Sequence, residues 1–226
     1  MNMYLPNKQK SPAGRHLAAG TLLEMMFAVA IMVMIVMALM SAHLLGLREY
    51  QLVDSKCGAS DMSRRVLNNL PVDIRSSKMW QIGNVAGTNF AFTALANGSS
   101  QLGTALKLFP TTNNSRPYIE YYFNLAGSNN SDGRLMRFSV DSNGVSSATT
   151  CLASNLVDWL GNGYSFVAED YNGNLQSDAG NSAAFKNVIH TKLQFCQFQY
   201  PLTPVGTNGL YDFYKLEFKA TPHLPE

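Results

Sequence analysis

The feature that most constrains this chain is an uncharged apolar run near its start. Every residue from Met25 to Met40 is apolar, and up to Leu47 only Ser41, His43 and Gly46 interrupt. At about 1.5 Å per residue a helix over this stretch crosses a hydrocarbon core of roughly 30 Å. Inside a bilayer a single segment satisfies its backbone only as a helix. The run therefore predicts a membrane helix over residues 21–47. Its one charge, Glu24, stands at the entry. A carboxylate there is costly unless paired, which marks Glu24 as a functional residue.

The leader before the run carries Lys8, Lys10, Arg15 and His16, and no acid. The positive-inside rule keeps it in the cytoplasm and exports everything beyond Leu47. A secretory signal places its small-residue cleavage site after the apolar region. Here the small residues Ala18, Ala19 and Gly20 precede it, and Thr21-Leu22-Leu23-Glu24-Met25-Met26 follows. With these residues the chain resembles the type IV prepilins, including the pseudopilins of type II secretion. That family has a basic leader, a Gly, and a motif ending in Glu that opens a long apolar helix.

The resemblance implies cleavage by a prepilin peptidase at Ala19, Gly20 and Thr21, followed by methylation of the new amine. It implies a single-pass inner-membrane protein that joins a pilus or pseudopilus with other pilins or pseudopilins through its helix, with Glu24 as the assembly residue. Cutting after Gly20 makes Glu24 the fourth mature residue. Cutting after Ala19 makes it the fifth, as in the family, but places Ala where Gly is expected. The alternative is a plain signal anchor: an uncleaved, membrane-anchored extracytoplasmic binding module.

Beyond the run, residues 48–79 continue a helical pattern. Leu44, Leu47, Val53, Val66, Leu67, Leu70 and Ile74 recur near spacings of three, four and seven, with charged residues between them. Gly58 weakens the middle, and Pro71 should end or kink the helix at Leu70. The apolar stripe should lie on a sheet.

Residues 80–226 read as a β-rich head. Strands are expected at Phe90–Thr93, Ala105–Phe109, Tyr118–Phe123, Arg134–Val140, Val188–Tyr200 and Tyr211–Ala220. Turns are expected at 129–133 and 141–144. A long helix packed on an antiparallel, meander-like sheet is α+β. The stretch Ser63–Arg75 and the order of segments in the distal half also resemble the larger minor pilins of the PilW kind and the J-type minor pseudopilin. A pilin-like fold is what that resemblance implies.

Composition narrows the function. The leader holds three of the 17 Lys and Arg and none of the 15 Asp and Glu. That leaves 14 basic against 15 acidic residues, so the exported part has no basic field for nucleic acid. The four histidines (His16, His43, His190 and His223) sit in no nucleophile or metal motif, and no glycine loop cradles phosphate. An enzyme is not expected, nor a cofactor beyond calcium. The loop from Asp170 to Asp178 offers oxygens at Asp170, Asn172, Asn174 and Asp178, alternating as in calcium loops. Leu175 stands where the EF-hand needs Gly, so a solvated turn is the other reading. Cys151 and Cys196 would meet an oxidising compartment and are a candidate disulfide, or else small buried hydrophobes.

Overall fold

A computed structural model of the chain describes residues 16–86, 90–112, 115–124, 133–157, 166–177, 187–201, 203–204 and 214–222. One helix, α1 (His16–Ser76), opens the chain. The strands follow in order: β1 (Met79–Ala86), β2 (Ala91–Ala94), β3 (Leu102–Gly103), β4 (Ala105–Phe109), β5 (Tyr118–Asn124) and β6 (Gly133–Val140). Then come β7 (Thr150–Leu156), β8 (Phe166–Glu169), β9 (Val188–Phe195), β10 (Phe198–Gln199), β11 (Thr203–Pro204) and β12 (Tyr214–Ala220). The architecture is α+β: one long helix and a curled antiparallel sheet. The chain divides into two compact units, one ending at Glu49 and one beginning at Tyr50.

The first unit is the apolar part of α1. Every side chain from Thr21 to Gly46 is exposed. Its best window has a mean hydropathy of 2.6 and buries nothing within the structure. It is long and apolar enough to cross a membrane.

In the second unit α1 becomes core. Ala59, Val66, Leu70 and Ile74 are buried, at the three- and four-residue spacing of one helix face. They pack in one cluster with Trp80 and Ile82 of β1, Leu106 and Leu108 of β4, Tyr121 and Phe123 of β5, Leu135 of β6, and Ile189, Leu193 and Phe195 of β9. Each fully buried aliphatic side chain stabilises this unit by about 1.5–3 kcal/mol. Alternate residues of each strand point away from the helix, as the two-residue period of a strand requires.

Pro71 lies inside the helix, which runs one and a half turns past it. The missing N–H costs a bond to the Leu67 carbonyl. Two features hold the last turn in place. Leu70 and Ile74 on either side of Pro71 are wholly buried. Beyond them Ser77 caps the end, its N–H at 3.2 Å and its hydroxyl at 2.6 Å both donating to the Ile74 carbonyl. The helical pattern extended to Met79, but Met79 and Trp80 already belong to β1, paired with Phe109 and Leu108.

The sheet runs β2-β1-β4-β5-β6-β7-β9-β8-β3, with β12 on β9. Only β4 to β7 form the expected meander. β9 crosses over to pair β7, β8 and β12, and the expected long strand to Tyr200 breaks after Phe195 into the small β10–β11 ribbon. The curl brings β3 back to β1. Backbones meet there closely enough that a Cβ on Gly103 would collide with the Gly83 carbonyl. The seam is stitched by Thr104: its N–H donates to Asn84 Oδ1 at 3.2 Å, and its hydroxyl accepts from the Val85 N–H at 3.2 Å.

Candidate functional site

The helix entry is built from Ala19, Gly20, Thr21 and Glu24, all on α1. Leader residues before His16 lie outside the described residues. Glu24 is exposed among Leu22, Leu23, Met25 and Met26, which are also exposed. Further along, the Ser41 hydroxyl donates to the Met37 carbonyl at 2.9 Å. That bond satisfies its polar group within the helix and keeps the surface apolar. Glu24 thus stands at the edge of a long apolar cylinder.

The loop after β8 is a closed turn. Asp170 Oδ1 accepts from the N–H groups of Asn172 and Asn174, both at 2.8 Å, and Oδ2 accepts from the Asn174 amide at 2.9 Å. The Asp170 N–H donates to the Asn174 carbonyl at 2.8 Å. Gly173 supplies the left-handed residue, with φ of 88°. The hydrogen bond from the Asn174 side chain, then those from the backbone, hold the Asp170 carboxyl below the usual aspartate range. Asp178 lies outside the described residues. Among the described residues no three His, Cys, Asp or Glu side chains are grouped to hold a metal.

The Cys151–Cys196 bridge is corrected by the structure: Cys57, Cys151 and Cys196 are all free. The Cys196 N–H donates to the Asn155 carbonyl, so Cys196 lies beside Asn155. Cys151 stands four positions back along β7, where it pairs with Met136 of β6. Four strand residues span roughly 13 Å, twice the reach of a disulfide. Cys196 is buried, and burial raises the pKa of its thiol. Cys151 is exposed.

Three polar clusters were not visible from sequence spacing. At the end of α1, Asp73 Oδ2 accepts from the Tyr121 hydroxyl at 2.5 Å and from Arg137 Nε at 3.0 Å, with Arg137 Nη2 at 2.9 Å. Burial first, and then the bond to Asp73, push the Tyr121 phenol above its ordinary range, so it stays a donor. This cluster ties helix to sheet. On the other face of the sheet, Lys107 Nζ lies 3.3 Å from Glu120 and over the rings of Phe92 and Tyr118, at 4.2 and 4.5 Å from their centroids. Burial raises the Glu120 carboxyl and Lys107 opposes it.

The third cluster surrounds His190 of β9, which faces Glu169 of β8 and Glu217 of β12. His190 alternates with Ile189 and Leu193 along β9, and that phase is the one signal that could have pointed to it. Its partners come from strands 21 and 27 residues away in sequence, which no local motif reveals.

None of these clusters sets a nucleophile against a base. Their bonds join elements of the fold. Compared with family models, curated proteins and solved structures, the chain matches none.

Proposed function

We propose that the chain is a minor pilin or pseudopilin: a non-catalytic subunit of a type IV pilus or a type II secretion pseudopilus. The observation that carries the reading is the Ala18–Glu24 entry at the head of an exposed apolar helix. A prepilin peptidase removes the leader on the cytoplasmic side, and the helix waits in the inner membrane. On assembly the same apolar surface exchanges lipid for sister helices.

Glu24 then meets the free amine of a neighbouring subunit. One helical turn separates Glu24 from its own new amine, which is close but poorly aimed. A neighbour displaced along the filament axis presents its amine directly. In a poorly solvated setting an unpaired carboxylate is very costly, so the pair fixes register. The α+β second unit, built around the later part of the helix, carries the contacts to neighbours or cargo in a pilin-like head.

Intact mass of the protein purified from cells with an active prepilin peptidase tests this. The mature chain should begin at Thr21 or Gly20 with a methylated amine. A chain that keeps Met1 to Ala18 is an uncleaved anchored binding module instead.

A further inference from the structure

β7 carries a bulge that turns one residue toward the helix. Gly133 of β6 pairs with Leu156 and Leu135 pairs with Ala153, so Ser154 and Asn155 together stand against the single residue Arg134. Asn155 takes the left-handed backbone, with φ of 56°. The ladder gives Ser154 no opposite residue on β6, and its donors go to α1 instead. The Ser154 N–H donates to Met62 Sδ at 3.4 Å, and the Ser154 hydroxyl donates to the same sulfur at 3.5 Å.

Two donors thus converge on a thioether, which is a weak acceptor. Met62 packs against the core cluster, yet it and Ser154 are only half-buried. The pair stands at the rim of the core, within reach of a small solute. Met79, by contrast, is 2% exposed. Oxidation of a methionine puts a polar oxygen on the sulfur and disrupts an ordinary apolar contact. At Met62 the donors that such an oxygen needs are already in place.

We propose that Met62 is a sulfoxide-forming site for a peroxide-class oxidant, at which the Ser154 N–H and hydroxyl take up the new oxygen and keep α1 tied to β7. With hydrogen peroxide, a sulfur lone pair attacks one oxygen and the O–O bond breaks. The other oxygen takes the first oxygen's proton and leaves as water. The sulfur is oxidised, the peroxide is reduced, and the chain gains one S–O bond. The sulfoxide oxygen is a stronger acceptor than the thioether, so both donors keep a partner after a small shift of the Met62 side chain. The inference concerns the second unit alone and stands apart from the pilin reading.

Treatment of the full-length chain in detergent micelles with hydrogen peroxide tests the site. Peptide masses should show one added oxygen on Met62 before any on Met79. Melting of the second unit should then move little in the unaltered chain. In Ser154→Ala, which keeps the N–H and loses the hydroxyl, the same oxidation should lower Tm by about 2–4 °C more. Met62→Leu, of similar volume and without a sulfur, measures what oxidation of the other methionines contributes. Met62 left unmodified once Met79 has gained oxygen would overturn the site. So would an equal fall in Tm with and without the Ser154 hydroxyl.

Discussion

The two parts of α1 share a backbone and little else. From Thr21 to Gly46 every side chain is exposed and nearly all are apolar. From Tyr50 to Ser76 apolar residues are spaced, and from Ala59 to Ile74 one face is buried while Arg64, Arg65 and Asn68 stay out. The later part has a face because its partner, the sheet, belongs to the same chain. The earlier part is apolar all round and meets nothing of its own chain that would single out one face. Periodicity locates a partner only when that partner lies on one side.

The largest effect should come from a matched pair of truncations. Leu70→Ala removes a side chain with no exposure and should destabilise the second unit by about 2–5 kcal/mol. Leu39→Ala, 66% exposed, should leave the denaturation midpoint of that unit unchanged. Chemical denaturation in micelles followed by Trp80 fluorescence measures both. An equal loss from the two variants would break the contrast.

Glu24 sharpens the same comparison from the membrane side. Glu24→Gln or Glu24→Ala should leave insertion and leader cleavage intact. Removing a charge makes the helix more apolar, and the cut depends on the small residues before it. Incorporation into filaments should fall by the loss of one poorly solvated ion pair, of the order of a few kcal/mol. Fractionation with crosslinking to other pilins measures it. Normal incorporation would make Glu24 a headgroup-zone residue and return the chain to the anchor reading.

The smallest effect should be at Asp170, whose carboxylate serves the turn itself. Asp170→Ala should lower Tm by about a degree or two. The fall should be the same in calcium and in chelator, because the groups it deprives are the chain's own N–H donors. A calcium-dependent rise in Tm that the variant abolishes would restore the calcium loop. The native carboxyl is held below its unfolded value. Its contribution is therefore complete above the unfolded aspartate range and lost as pH falls through the native value. A melting series in acid should show that part missing from the variant.

Much of the fold was legible where one local rule acted alone. The strand expected over Tyr211–Ala220 alternates, with Tyr214, Leu216 and Phe218 against the core and Lys215, Glu217 and Lys219 outward in the structure. The β5–β6 pairing followed from the aromatic run of β5, the turn-rich segment after it and the returning strand from Arg134. The rest depended on distant partners. Met79 was read as the end of the helix, and no strand was expected over the rest of β1, because only the pairing with β4 decides there. β7 was missed because Thr150–Leu156 is broken by Ser154 and Asn155, the latter with φ of 56°. Pro71 allowed an end or a kink at Leu70, and the burial of Leu70 and Ile74 on either side of it accompanies a helix that does not end there. At the candidate site, the helix entry was readable as a contiguous motif. The surroundings of His190 and Asp73 were not, since each gathers strands remote in sequence.

The meeting of Gly83 and Gly103 sets a limit of another kind. At most described positions of the second unit one side chain can be traded for another, and its neighbours soften a poor choice. At the seam there is no side chain to trade. A methyl on Gly103 meets the main chain of Gly83, and one on Gly83 meets the Thr93 carbonyl and the Phe92 ring. Main chain cannot choose another rotamer. Polarity, charge and β-propensity are all irrelevant at these two sites, and volume alone is selected. A saturation library would show graded tolerance along the rest of β1 and near-silence at Gly83, the point where the sheet turns back on itself.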